Sequence, residues 1–331
     1  MHTSPTAFAA DFWHRIRTTH PLSAYSGLAY LIVAVPVAAG IFLDPRTLTG
    51  APLWLKPFKF LVSAVIYTWT FAWFLSFLDN GDTTRRKWIQ RLGTVTALML
   101  IVELALILFQ AARGISSHFN FTSPLNGAIF SIMAWAIITL WVANLIVILW
   151  LMRARLPDRA FAWSLRWGIV IASAGMLLGF LMTRPTPDQL DHMMQGNRPE
   201  VIGAHTVGAP DGGPGMPLTN WSSTHGDLRI PHFFGLHAMQ VLPILGWFLI
   251  GRRRLSDARR ILLVHASGAA YAALLGILTL QALLGQALFN PSPLIQALLG
   301  ATGVAAAAVF AFALLKNGNA NGAHEPSEAR A

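Results

Sequence analysis

Gly127-Ala-Ile-Phe-Ser-Ile-Met-Ala-Trp-Ala-Ile-Ile-Thr-Leu-Trp-Val-Ala-Asn-Leu-Ile-Val-Ile-Leu-Trp-Leu-Met152 runs for 26 residues without a charged side chain. A helix needs about 20 apolar residues to cross the hydrocarbon core of a bilayer. Seven further runs have comparable length and character: 24–43, 58–78, 93–112, 161–182, 233–250, 261–283 and 293–315. Inside lipid every backbone N–H and C=O needs an internal partner, which selects helices over open sheets. The expected fold is therefore all-α, a polytopic membrane bundle of about eight transmembrane helices. The 54% hydrophobic and 11% charged composition agrees with that reading. Two runs depart from the ideal: the first contains Pro36, and the sixth is the shortest and contains Pro243.

Charge sets the orientation. With eight crossings, 17 of the 24 Lys and Arg fall on one side, in the tails and in the short segments 79–92, 153–166 and 252–260. The positive-inside rule then puts both termini in the cytoplasm, with a bacterial cytoplasmic (inner) membrane as the expected location. The formal net charge of +10 follows from that topology. The basic residues sit in short loops, so nucleic acid is not an expected partner; the bilayer is. Residues 1–22 lack the apolar core of a cleaved leader and read as a cytoplasmic amphipathic segment, with Phe8, Phe12, Trp13 and Ile16 on one face. The bundle is expected over 23–315, with a long outward loop at 183–231. The polar stretch 316–331 reads as a disordered cytoplasmic tail. The chain has no cysteine, which excludes disulfides, thiolate metal sites and iron–sulfur clusters.

The richest chemistry lies in His225-Gly-Asp-Leu-Arg-Ile-Pro-His-Phe-Phe-Gly-Leu-His-Ala-Met-Gln240. Ionisable groups at the lip of a membrane helix are functional candidates because they are costly there. Polar stripes on two other runs point the same way. One carries Lys59, Ser63, Tyr67 and Thr70; the other carries Thr96, Glu103 and Gln110, followed by Arg113. Together they suggest a polar pocket opening outward beneath the long loop. Candidate catalytic residues are Asp227, His232 and Glu103, with Lys59 or Arg113 as partners for the Glu103 carboxyl. Candidate substrate-binding residues are Lys59, Tyr67, Gln110, Arg113, Asn120, Arg229 and Gln240. Structural roles stand beside these. Lys56 and Lys59 can snorkel to headgroups. Ser63, Thr70 and Thr96 can join helices. Asp227 can cap a helix, and His265 can be a packing residue beside the small-residue face Gly268, Ala272 and Gly276.

Six of the eleven histidines fall on the expected outer side: 118, 192, 205, 225, 232 and 237. This motivates a metal or haem site using His118, His225 and His237, with haem b held by a pair such as His118 and His237 and a redox link to a quinone. His232 and His237 are five residues apart, about 140° around a helix, so they do not ligate one ion together. A second reading is a hydrolase or transferase for an outer-leaflet lipid, in which Asp227 and His232 or His237 do acid–base work and Arg113, Arg229 and Lys59 hold an anionic headgroup. A third is a proton-coupled transporter centred on Glu103. Oligomeric state is open.

Three segments carry a resemblance: Trp54 to Phe60, Gln110 to Asn120, and Asp211 to Pro217 together with Gly226 to Gln240. On these the chain resembles a group of bacterial multi-pass membrane proteins with no assigned activity. That resemblance implies the membrane fold and brings no mechanism. Thr279 to Gly285 resembles a helix of the haem A synthases, but the paired-histidine helices of that family are missing here.

Overall fold

The computed structural model describes residues 5–252 and 254–315; the expected disordered tail at 316–331 lies outside the described residues. In chain order the helices are α1 (Pro5–Thr19), α2 (Pro21–Leu43), α3 (Leu55–Ser76), α4 (Thr83–Ala112), α5 (Pro124–Arg153), α6 (Arg159–Met182), α7 (Pro187–Met194), α8 (Arg229–Ile250), α9 (Asp257–Leu283) and α10 (Pro293–Leu315). All but α1 and α7 are long and apolar enough to cross a membrane, which makes eight candidate spans. The protein is an all-α, multi-pass membrane bundle. Pro36 and Pro243 sit within α2 and α8 without ending them. Neighbouring helices can supply the partners that proline takes away.

Local chemistry sets the ends. Asp82, Ser123, Asp158 and Ser256 each place a side-chain oxygen over the first free N–H groups of the helix that follows. The sixth span begins at Arg229, four residues before the apolar run expected from 233. Arg229 and His232 are therefore first-turn residues of a helix. Along α1, Phe8 and Phe12 meet Trp73 of α3, with centroids 6.2 and 5.7 Å away, and Phe8 meets Trp247 of α8 at 4.6 Å. Ile16 on the same face is fully buried. This amphipathic helix thus closes one end of the bundle.

The tightest seam joins α6 and α8. A Cβ added to Gly175 would lie 2.6 Å from the Cα of Gly235, so backbone meets backbone there. Gly168 on the same α6 face abuts the Ala238 carbonyl. Small residues permit this approach between membrane helices. The small-residue face expected on α9 is used only in part. Gly268 receives Trp167, whereas nothing lies within 4 Å of the Cβ position of Gly276. His265 accepts a 3.0 Å hydrogen bond from Trp167 Nε1, as a packing residue would. Helix α10 contributes little to the interior, with only Ile295 and Ala313 buried.

The connections 44–54, 113–123, 183–228 and 284–292 all lie at one end of the bundle, and they interlock. The long connection, expected to favour turns, holds α7, whose start is fixed by a reciprocal Thr186–Gln189 capping box. It also holds a short strand, Thr206–Val207, which pairs antiparallel with a second, Gly226–Asp227. Asn120 bridges to Val201, and Phe121 N–H donates to Glu200 O at 2.7 Å. Gly50, at φ +74°, would bring a Cβ within 2.7 Å of the Gly212 carbonyl. The loops therefore form a folded lid, tied to the first two interhelix turns at that end.

Candidate functional site

Beneath this lid the chain gathers its buried charge. Asp227 has a fully buried side chain. Its Oδ1 accepts from Arg229 N and Nε, both at 2.9 Å, and its Oδ2 accepts from Arg229 Nη2 at 2.6 Å and Ser222 N at 2.7 Å. Arg229 Nη2 also donates to Asn220 O at 2.6 Å. A bidentate guanidinium–carboxylate pair with backbone donors on the carboxylate is a strong, directional arrangement. Asp227 fixes the entry to α8 by accepting from the free N–H of Arg229 as well as from its guanidinium, while Leu228, at the N-cap position, has no side-chain cap bond.

His205 and Asp211 form a second pair, with Nδ1 and Oδ2 2.7 Å apart. A carboxylate only accepts, so Nδ1 carries the proton and Nε2 holds the lone pair. The Asp211 carboxylate also accepts from the N–H groups of His205 and Thr206, at 3.1 and 2.8 Å. Burial works against the Asp211 charge, but the His205 ring and those two amides together hold its pKa well below the usual carboxylate range. Burial lowers the His205 pKa, and the Asp211 hydrogen bond offsets this in part. Nε2 has no partner among the described residues. The ring packs against Phe119 at 5.0 Å. Phe119 itself is held at φ +62°, a left-handed conformation uncommon for an aromatic residue and of the kind found at functional sites.

His205, Asp211, Asn220, Ser222, His225 and Arg229 line a cavity of about 310 Å³ with Thr49 and the Gly212–Gly213 turn. Lys59, on α3, donates to Thr219 O in the lid at 2.6 Å. The cavity thus combines a histidine lone pair, an arginine with Nη1 unpaired among the described residues, and several hydroxyl and backbone donors.

The sequence candidates separate into distinct places. Asp227 and Arg229 pair with each other, and Arg229 lines the cavity. Glu103 meets neither Lys59 nor Arg113: His118 Nε2 stands 3.6 Å from its Oε1 and Lys56 is the nearby cation. Arg113 is turned away because its Nη1 donates to Gln110 Oε1 at 2.5 Å and Asn126 Oδ1 at 3.1 Å. Asn120 serves the same corner, accepting from Thr122 N at 3.0 Å. Tyr67 is hydrogen-bonded by Asn144 of α5. Gln240 donates to Thr70 at 3.0 Å and is joined by His237 Nδ1 at 3.2 Å. His232 Nδ1 donates to Gly175 O at 2.8 Å within the α6–α8 seam. The single pocket expected from the polar stripes is therefore corrected to a lid cavity and several helix-joining pairs. Thr70 joins helices as expected, whereas Thr96 Oγ1 has no hydrogen-bond partner. Lys56 does not snorkel: its Nζ donates to His118 Nδ1 at 3.1 Å.

His118, His225 and His237 likewise have separate partners, namely Lys56, Thr224 and Gln240. Among the described residues no three His, Cys, Asp or Glu side chains gather as a metal site would require. Sequence reasoning missed the His205–Asp211 pair and Lys56. A signal was present for the pair. They lie six positions apart, across Gly208 and Pro210, a turn-forming stretch that returns the chain on itself. Comparison with protein-family models, with curated proteins and with solved structures gives no match.

Two partly buried histidines, His118 and His205, make the stability of this end of the bundle depend on pH. Burial holds the His118 pKa well below the ordinary 6.5, helped by Lys56 and His205. His205 is lowered as well. An unfolded lid binds protons more readily than the folded one, so the stability from these rings is complete above about 6.5 and declines as pH falls below it. Hydrogen exchange, corrected for its intrinsic pH dependence, should show 183–228 losing protection on mild acidification while α10 is unchanged. Equal protection at both pH values would contradict this.

Proposed function

We propose that the protein is a membrane-bound hydrolase or transferase whose active site is the lid cavity, acting on a polar, anionic ester at the outer face of the membrane. The observation that carries this reading is the His205–Asp211 pair in the wall of a cavity that Arg229 also lines. The pair has the arrangement a general base needs: one ring nitrogen held by a carboxylate, the other unengaged. His205 Nε2 would take a proton from water or an acceptor hydroxyl as its oxygen attacks the ester centre. Asp211 would stabilise the resulting imidazolium. The proton would then pass from Nε2 to the leaving oxygen as the ester bond breaks, which restores the resting pair. Arg229 Nη1 and the Gly212–Gly213 backbone would hold the anionic group.

Orientation follows from charge. The lid end carries the smaller share of Lys and Arg, so we place it outside the cytoplasm, with both termini inside and a bacterial inner membrane as the setting. A cavity of about 310 Å³ suits a headgroup or a short ester rather than a whole lipid. The metal or haem reading has less support, because its three histidines are committed to different neighbours.

The test is a panel of carboxylic and phosphoric esters, neutral and anionic, offered to the purified protein in nanodiscs. Turnover of at least one anionic ester, with inorganic phosphate as a competitive inhibitor, is expected. Failure to turn over any member, or equal turnover of neutral and anionic members untouched by phosphate, would overturn the assignment.

A further inference from the structure

A second buried cluster lies deeper than the cavity and has no part in the chemistry above. Glu103 is nine residues from the end of α4 at Ala112, a rise of about 14 Å. It is 2% exposed, and neither carboxyl oxygen has a hydrogen-bond partner. An isolated carboxylate at such depth is costly, so the resting form is the neutral acid. A structural role does not account for it, since a carboxyl that joins no neighbour stabilises nothing that leucine would not.

What stands beside it is a line of proton-carrying groups. His118 Nε2 is 3.6 Å from Glu103 Oε1. The other ring nitrogen, Nδ1, is 3.1 Å from Lys56 Nζ and 3.0 Å from Ser117 Oγ. While Glu103 is ionised, a charged Lys56 only donates, so Nδ1 accepts and the imidazole proton sits on Nε2, toward the carboxylate. Phe60, Phe119 and Phe130 surround the ring at 5.7, 6.1 and 6.0 Å and shield it. Lys56 in turn feels Lys59, Arg229 and Asp211 at the lid. The ionisable groups that act on the carboxyl are Lys56 of α3 and His118.

We propose that Lys56, His118 and Glu103 form a proton relay that loads the buried Glu103 carboxyl from the lid face. Starting from ionised Glu103, the Nε2–H bond breaks as an O–H bond forms at Oε1. At the same time Lys56 Nζ, charged beforehand by a proton from outside water, gives a proton to Nδ1 and then accepts from Nδ1–H as a neutral amine. One proton moves inward per event, and the imidazole changes tautomer. Discharge outward is the reverse.

Infrared spectroscopy of the protein in lipid, transferred to D₂O, tests this. Wild type should show the carbonyl-stretch band of a buried neutral carboxyl, exchanging with deuterium. Glu103→Gln should remove the band. His118→Phe, which fills the aromatic surround, should keep the band but slow its exchange by about tenfold or more. Lys56→Gln keeps a donor toward Nδ1 without a titratable proton and should slow exchange as well, so the test survives if one variant does not fold. A band that persists in Glu103→Gln, or exchange unchanged in whichever of the two relay variants is folded, would overturn the relay. Neither result depends on ester turnover.

Discussion

Replacing Arg229 by methionine should destabilise the protein by about 3–5 kcal/mol, the usual cost of removing one partner from a buried ion pair. The Asp227 side chain is fully buried, and Arg229 supplies Nε and Nη2 to its two oxygens at 2.9 and 2.6 Å. Without the guanidinium the carboxylate keeps only backbone donors, from Ser222 and position 229. The lid also loses the Arg229 bond to the Asn220 carbonyl, so the 219–227 turn loosens at its base. Adding Asp227→Leu to Arg229→Met removes the stranded charge and should recover much of the loss, because apolar replacement of both partners is often neutral. Thermal unfolding of the single and double variants in detergent measures this. A single-variant loss below about 1 kcal/mol would place the pair with exposed ion pairs and contradict its burial.

The spans were legible because lipid imposes one rule on every one of them. Runs such as 127–152 and 293–315 needed no tertiary information. The start of α8 was harder: Asp227 neutralises Arg229, which lets a charged residue enter a helix that hydropathy alone delays to 233. The α6–α8 seam was written in Gly168, Gly175 and Gly235, but glycine spacing does not say which helix it faces. The same ambiguity made the Gly276 position on α9 look like a contact when nothing lies near it.

At the site, Asp227 and Arg229 stood out because they are two residues apart, and proximity in sequence is proximity in space. Lys56, His118 and Glu103 come from α3, a connection and α4, so only the fold brings them together. Glu103 was visible as an intramembrane carboxyl, yet its neighbours were not. Depth alone favoured Lys59 and Arg113, and each proved to have a nearer oxygen, Thr219 O and Gln110 Oε1. His205 and Asp211 lay in a glycine-rich stretch with no helical or strand period to align them.

The second large effect concerns His205. If its Nε2 is the base of the lid cavity, His205→Ala removes proton transfer and should lower kcat by about 10²–10⁴, the usual range for a positioned acid–base group. Arg229, which lines the cavity, is held by Asp227 independently of His205, so KM should change far less. The ring is also a wall residue packed on Phe119, so circular dichroism and monodispersity should accompany the assay. The most direct measurement is therefore kcat for an ester that wild type turns over, compared between wild type and folded His205→Ala in nanodiscs. A fall of about 10²–10⁴ with KM little changed is the predicted result. An unchanged kcat in the folded variant would contradict the lid cavity as a histidine-based active site.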